Sequence, residues 1–247
     1  MFEYDITTIL TGHREGRLSV ATLRSIRAAV SKARAAGLSV QEIYVLDRAN
    51  EITTSVFRAA AEEAGEHALL LETDLGDQGA ARNHAITQAR GKRTAFQDGD
   101  DLWTSDWLVQ AWTFLEEVGP DVVAHPAYNY FFEGQATIFR QIDQDSDEYL
   151  PDMLRLFNYW DALAMCDTEL YRRFPFPKRD MANGWAYEDW GWNCITVDAG
   201  IRHKIVPDTT IFKRRRAGSQ TMNASTGKAR MRRNALMSYG NPNYAGL

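Results

Sequence analysis

Along the first hundred residues the apolar positions switch repeatedly between a period of two and a period near 3.6. Residues 4–10 (YDITTIL) are β-rich and end at Thr11-Gly12, a turn signal. Residues 17–36 place Leu18, Thr22, Ile26, Ala29 and Ala33 close to helical spacing and stop at Gly37. A second strand is predicted over 41–46, ending at Asp47, then a helix over about 51–64 stopped by Gly65, and a short strand at 67–71. Residues 80–90 read as a helix with Gly91 as its C-terminal stop, and 92–97 as a strand running straight into Asp98. This rhythm predicts an α/β fold with a mainly parallel sheet and helices on both faces. Ligands of such sheets bind beyond the carboxyl ends of the strands. Thr11–Glu15, Asp47 and Asp98–Asp101 all fall at such ends, in one crevice.

The second half is mixed. Residues 105–118 predict a helix with Trp107, Leu108, Ala111, Trp112 and Leu115 on one face, capped by Thr104 or Ser105 and ended by Gly119-Pro120. A hairpin over 121–141 turns at Glu133-Gly134, a short helix follows at 148–159, and 161–166 form a strand. An amphipathic helix spans 187–199, and 202–214 are extended. With no repeat or low-complexity linker, the expectation is one domain over 1–221. Its parallel, nucleotide-binding half is 1–103 and its mixed half, which builds the other wall of the cleft, is 104–221, followed by a basic tail, 222–247, helical in part over 226–238.

Composition changes this picture little: 45% apolar and 25% charged residues are ordinary for a globular protein. No apolar run is long enough to span a membrane, and the N-terminus lacks a signal-peptide pattern. Two cysteines, Cys166 and Cys194, make neither a disulfide framework nor a zinc site, which predicts reduced thiols and a cytoplasmic location. A net charge of −5 speaks against a nucleic-acid partner. Charge is uneven, however: residues 213–233 carry Lys213, Arg214, Arg215, Arg216, Lys228, Arg230, Arg232 and Arg233 with no acidic residue. Such a run meets phosphates or forms a solvated face.

Asp98-Gly99-Asp100-Asp101 places three carboxylates within four residues after a strand. Like charges this close raise one another's pKa unless a cation compensates, and a hard divalent ion such as Mn2+ or Mg2+ is the natural partner. The alternative is an acidic turn in which Asp101 or Thr104 caps the next helix.

The stretch from Gly76 to Trp103, GDQGAARNHAITQARGKRTAFQDGDDLW, resembles the pattern of glycosyltransferase family 2. There a small-residue turn leads to Ala-Arg-Asn, a helix, Gly, a strand and Asp-x-Asp-Asp. Ala81-Arg82-Asn83, Gly91 and Asp98–Asp101 match at that spacing, whereas Leu75 and Asp77 stand where the family often has Asn and Gly. The resemblance extends to the loop Thr11–Glu15, to Asp47, to Tyr187-Glu188-Asp189-Trp190, and to Arg214–Ser219, where Arg216 replaces a His. It covers about residues 4–221.

The resemblance implies a GT-A-type fold and an inverting, metal-dependent transfer from a nucleoside-diphosphate sugar. UDP- or dTDP-type donors are favoured over GDP, and the acceptor is a glycan, a protein or a small molecule. It assigns Asp189 as general base, with Glu188 beside it. Thr11, His13, Glu15, Asp47, Arg82, Asp98, Arg214 and Arg216 become donor contacts, and Asp100, with Asp98, holds the ion. A helix N-terminus lowers the pKa of Asp189, while burial among Trp185, Trp190 and Trp192 raises it; the sequence leaves the balance open. Trp185 or Trp190 offers a ring for the apolar face of a sugar. Two other readings stand beside this one. A nucleotidyltransferase would want a glycine-rich loop where TGHREGR stands, and a non-catalytic nucleotide- or carbohydrate-binding module would leave Glu188-Asp189 idle.

Overall fold

The predicted strands and helices of the first half all form in the computed structural model, which describes residues 2–134, 136–216, 224 and 226–237. They are β1 (Tyr4–Gly12), α1 (Ser19–Ala35), β2 (Val40–Asp47), α2 (Glu51–Ala64), β3 (Ala68–Thr73), α3 (Gln78–Ile86) and β4 (Gly91–Asp98). The four strands are parallel, in the order β3-β2-β1-β4.

Alternation along these strands sorts their side chains onto two faces. Ile6, Leu10, Tyr44, Leu46 and Ala95 pack against α1 and α2 through Leu23, Ile26, Val30 and Phe57. Ile9, Ile43, Val45 and Phe96 pack against α3 through Ala81, Ala85 and Ile86. Each fully buried aliphatic or Phe side chain here contributes on the order of 1.5–3 kcal/mol. The same parity fixes the chemistry, because Thr11, Asp47 and Asp98 lie an even number of residues from Ile9, Val45 and Phe96. All three therefore face α3.

The second half extends the sheet with β5 (Leu102–Trp103), β6 (Val122–Phe132), β7 (Thr137–Arg140), β8 (Met165–Asp167) and β10 (Arg202–Arg214). Among the described residues the sheet has nine strands, ordered β3-β2-β1-β4-β8-β6-β10-β5 with β7 on β6. Helix α4 (Trp107–Val118) joins the first face, and α5 (Thr168–Arg173), which the pattern did not predict, joins the second. Strand β9 (Trp185–Ala186) leads into α6 (Glu188–Asp198) and pairs with β11 (Arg230–Met231). Strand β10 is parallel to β6 but bulged: Val206 opposes Pro126 and Thr210 opposes Tyr128, so three residues of β10 face one of β6. Thr209 closes the bulge, accepting from Ala127 N at 2.9 Å and donating to Val206 O at 2.6 Å.

Four expectations are corrected. Helix α3 starts at Gln78 because Asp77 caps it, accepting from Ala80 N at 2.7 Å, and Gly91 opens β4 instead of stopping a helix. Helix α4 starts at Trp107, since the Ser105 hydroxyl is spent on Asp106, whose carboxylate pairs with Lys32. The helix over 148–159 shrinks to one tight turn at Pro151–Arg155. There the Tyr159 hydroxyl bonds back to Leu150, and Tyr149 stacks on Trp160 at 5.7 Å. The partial helix expected over 226–238 is confined, among the described residues, to Thr226 and a single tight turn at Ala235–Met237, for β11 binds β9 and Leu236 inserts beside Leu154, Trp160 and Cys194. Among the described residues no helix is long and apolar enough to cross a membrane.

Candidate active site

Asp47 ends β2 and builds the turn that follows β3. Its Oδ1 accepts from Leu75 N at 2.7 Å, Gly76 N at 3.1 Å and the Thr73 hydroxyl at 3.0 Å, and its Oδ2 accepts from Asp77 N at 3.0 Å. The carboxylate expected to read the donor's base thus lines the cleft with both oxygens engaged by the protein's own backbone. His13 stands beside it, its Nδ1 at 2.6 Å from Asp47 O. Asp77, where the resemblance departs from the family, both caps α3 and accepts from Arg179 N at 2.9 Å. It ties the helix to the loop before β9.

Helix α3 carries the Ala-Arg-Asn run, and each residue has a separate contact. Ala81 packs in the core. Arg82 is buried, over the rings of Phe96 and Phe176, with Nη2 at 2.7 Å from Asp98 Oδ1 and Nη1 at 3.6 Å from Glu188 Oε1. It joins the Asp98 turn to the acidic helix instead of pointing into open cleft. Asn83 grips Phe176, accepting from its N–H at 2.8 Å and donating to its C=O at 2.9 Å. Gln78 donates to Asp98 Oδ1 at 2.6 Å and to Thr11 Oγ1 at 3.2 Å. Gly79 lets Glu188 approach, for a Cβ there would lie 3.1 Å from Glu188 Cγ and 3.2 Å from Phe176 Cβ. Gly79→Ala is accordingly expected to leave the melting temperature within a few degrees of wild type, since Ala gains helix propensity of about 1 kcal/mol. Steady-state kinetics should meanwhile show a fall in kcat as Glu188 is displaced; unchanged kcat would remove the positional role.

The Asp98–Asp101 turn abuts β1, and a Cβ at Gly99 would lie 2.6 Å from Thr11 O. Asp98 Oδ1 accepts from Gln78, Arg82 and, at 3.3 Å, Thr11 Oγ1. Burial alone would raise its pKa, but Arg82 and Lys213 outweigh burial and hold the carboxyl below its ordinary value. Asp100 Oδ2 meets Arg216 Nε at 2.6 Å, and Arg216 lies 3.6 Å from Glu15. Glu15 is pushed upward by burial and by Asp100. Asp101 points the other way, accepting from Arg214 N at 2.7 Å, with Lys213 Nζ at 3.4 Å. Burial, then Asp98 and Asp100, push Asp101 up to about 7 against the pull of Lys213.

The basic run alternates as an extended strand requires. Arg214 and Arg216 reach the Asp100 side, Arg214 donating to Asp100 O at 3.1 Å and pairing with Glu133. Arg215 lies over the Phe131 ring. Lys213 stands 3.2 Å from Asp161 Oδ2, and although burial works to lower its pKa, Asp161, Asp101 and Asp98 raise it further. The remainder of that motif, Ala217–Ser219, lies outside the described residues.

Glu188 and Asp189 open α6 after Tyr187, whose φ of 62° is left-handed and unusual for a bulky residue. Asp189 Oδ2 accepts from Asn158 at 3.3 Å. Burial, then the neighbouring Glu188, push Asp189 up to about 7, outweighing the Trp190 backbone N–H and Arg82. The balance left open by the sequence falls on the side of burial. Trp190 is half-buried against the core with its indole N–H on Leu154 O at 2.6 Å, whereas Trp185 borders a cavity.

These residues line two adjoining cavities. The larger, about 380 Å³, collects Thr11, His13, Glu15, Asp47, Asp100 and Arg216, with Arg214. The smaller, about 90 Å³, collects Arg82, Glu188 and Asp189. Asp98, Gln78 and Lys213 belong to both. Gln78, Lys213 and Asp161 escaped the sequence reading; the alternation of the basic run was the signal for Lys213. Among the described residues no group of three or more His, Cys, Asp or Glu is arranged to hold a metal ion. Asp100 nevertheless fits an ion that takes one protein carboxylate and completes its shell on phosphate oxygens, as Mg2+ does. Asp98 fits less well, with Oδ1 already taken by three donors.

The fold is that of GT-A glycosyltransferases. S. aureus TarS residues 1–349, solved in complex with UDP-GlcNAc, matches with a TM-score of 0.67 at 18% identity, over 87% of this chain and 60% of that one. The mannosyltransferase PcManGT from Pyrobaculum calidifontis, solved with GDP-Man and Mn2+, matches with a TM-score of 0.59 at 20% identity, over 86% and 57%. GalNAc-T7, solved with UDP, GalNAc and Mn2+, matches with a TM-score of 0.64 at 12% identity, over 87% and 44%. The chain thus spans about 60% or less of the length of these structures. A search of curated proteins returned no match. The sequence model for glycosyl transferase family 2 matches residues 20–180, from the first helix through the Asp98–Asp101 turn to the loop before β9, and on that match the chain belongs to glycosyl transferase family 2.

Proposed function

We propose that the chain is an inverting glycosyltransferase that moves a sugar from a nucleoside-diphosphate donor to an acceptor hydroxyl. The observation that carries this reading is the shared wall of the two cavities. Asp98 and Lys213 separate a nucleotide-sized space from one holding a carboxyl with a pKa near 7. The UDP-GlcNAc and GDP-Man complexes of TarS and PcManGT support a nucleotide-sugar donor, UDP- or dTDP-type first and GDP second. In the transfer the acceptor oxygen forms a bond to the anomeric carbon as that carbon's bond to the diphosphate oxygen breaks. The acceptor proton passes to Asp189, and a base with a pKa near the working pH suits that task. Glu188, 3.6 Å from Arg82, orients hydroxyls beside it. Lys213, Arg214 and Arg216 face the charge that develops on the leaving diphosphate. A Mn2+ or Mg2+ ion, when bound, would be held by Asp100 and supply further positive charge to that diphosphate.

The test is hydrolysis and transfer with UDP-GlcNAc, GDP-mannose and dTDP-glucose, in Mn2+ and in chelator. Release of nucleoside diphosphate from at least one donor is expected, with the rate in chelator lower by about tenfold or more. Binding without turnover would point to a module, pyrophosphate release from a triphosphate to a nucleotidyltransferase, and a full rate in chelator would remove the ion.

A further inference from the structure

The basic segment after residue 227 is fixed beside the acidic helix. β11 pairs with β9, Arg230 N donates to Gly184 O at 2.8 Å, Met231 Sδ lies 3.8 Å from Cys194 Sγ, and Leu236 is fully buried. Arg232 and Arg233 thereby line a third cavity of about 80 Å³, and Lys178 lines it with them. Trp185 and Met231 give it an apolar side, and it meets the smaller catalytic cavity at Arg179, Tyr187 and Glu188. Most cations of this protein are matched, as Arg82, Lys213, Arg214 and Arg216 all sit on carboxylates. Lys178, Arg232 and Arg233 on this cavity, and Arg230 beside it, have no carboxylate oxygen within 4.0 Å among the described residues, a property they share with Arg14, Arg17, Arg24, Arg215 and Lys228 elsewhere. Asp180 is the acid that Arg232 and Lys178 feel at longer range; it is half-buried, with its carboxylate bonded to Asn183.

We propose that this cavity takes the acceptor, and that the acceptor is an anionic glycan bearing phosphate or carboxylate groups; the inference rests on the glycosyltransferase reading above. An uncharged acceptor would leave the cations with nothing to neutralise on the wall that adjoins Glu188. A membrane surface is the poorer fit, because the charges border a concave space with an apolar side instead of projecting from a flat face. An arginine fork matches phosphate and carboxylate alike, so the geometry names the charge and leaves its source to experiment.

The full chain would be titrated with three oligomers of equal length: uncharged maltopentaose, penta(galacturonic acid) and a five-unit glycerol phosphate chain. At least one anionic oligomer is expected to bind about tenfold or more tightly than maltopentaose. That advantage should largely vanish in roughly 0.5 M NaCl, where exposed charges are screened. Arg232→Glu and Lys178→Glu should each weaken the anionic oligomer by about fivefold or more, with melting curves verifying that each variant folds. Equal binding of charged and uncharged oligomers would overturn the proposal. So would charge reversals without effect, or binding of phosphatidylglycerol vesicles but of neither anionic oligomer. Donor turnover without anionic binding removes this inference alone. Anionic binding by a chain that neither binds nor turns over any nucleotide sugar removes the transferase reading and leaves an anion-binding site.

Discussion

Asp189→Asn is expected to lower the transfer rate by about 10²–10⁴-fold, the usual worth of a positioned general base, with donor affinity unchanged. The substitution keeps size and the acceptor oxygen that faces Asn158 but removes the site for the proton. The pH dependence gives an independent reading. With the carboxyl pushed up to about 7, wild-type kcat/KM should climb roughly tenfold per pH unit below that value and level off above it. The variant should lose that limb. Stability carries the same signature with a worked sign. Between pH 3.8 and about 7 the native carboxyl holds a proton that the unfolded chain has released. The contribution of Asp189 therefore favours the fold at low pH and is lost as pH rises through 7. Asp189→Asn should thus gain stability relative to wild type between pH 5 and pH 8. A variant at full rate, or an unchanged pH limb, would remove Asp189 as the base.

Arg82→Met is expected to destabilise the fold by about 3–5 kcal/mol, because it strands two carboxylates that share one buried guanidinium. A surface pair would cost less than about 1 kcal/mol, so the two cases are well separated. In a domain of this size the loss corresponds to a drop in Tm of roughly 6–20 °C. Its pH dependence runs opposite to that of Asp189. Asp98 is depressed in the native state by Arg82, so its contribution is present above its ordinary value of 3.8 and lost as pH falls through the native value. The deficit of Arg82→Met should accordingly be largest near neutrality and shrink below pH 4. A double-mutant cycle with Glu188→Gln should show coupling, since Arg82 lies 3.6 Å from Glu188. Additive effects, or a loss under about 1 kcal/mol, would reduce the bridge to an incidental contact.

The parallel half of the fold was legible because its strands and helices bury apolar residues at strict periods, and periodicity survives in sequence. The grouping of Thr11, Asp47 and Asp98 followed from topology for the same reason. Legibility failed where contacts across the chain override local preference. Residues 148–159 carry a helical pattern, yet Tyr149, Tyr159 and Trp160 stack and hold a single turn. Residues 230–231 look like part of a basic helix, but the ladder with β9 makes them a strand. In the site, residue type announced charge but not pairing. Nothing local to Arg82 says that its partners lie at positions 98 and 188, and nothing local to Asp47 says that it turns toward four donors at the end of β3 and in the turn after it. Lys213 was hidden among arginines, and strand parity separates it from Arg214 and Arg216.

That parity depends on the bulge in β10. Val206 and Thr210 are four residues apart where their partners Pro126 and Tyr128 are two apart, so the strand absorbs an even excess and keeps its faces. Loss or gain of a single residue between them would turn Lys213 and Arg215 to the face that Arg214 and Arg216 now occupy, and the reverse, with every core contact upstream left untouched. Loss of two would restore the present order. Counting modulo two across one irregularity thus governs which cations meet Asp100, and relatives that differ in length at this bulge by an odd number should present a differently charged cleft.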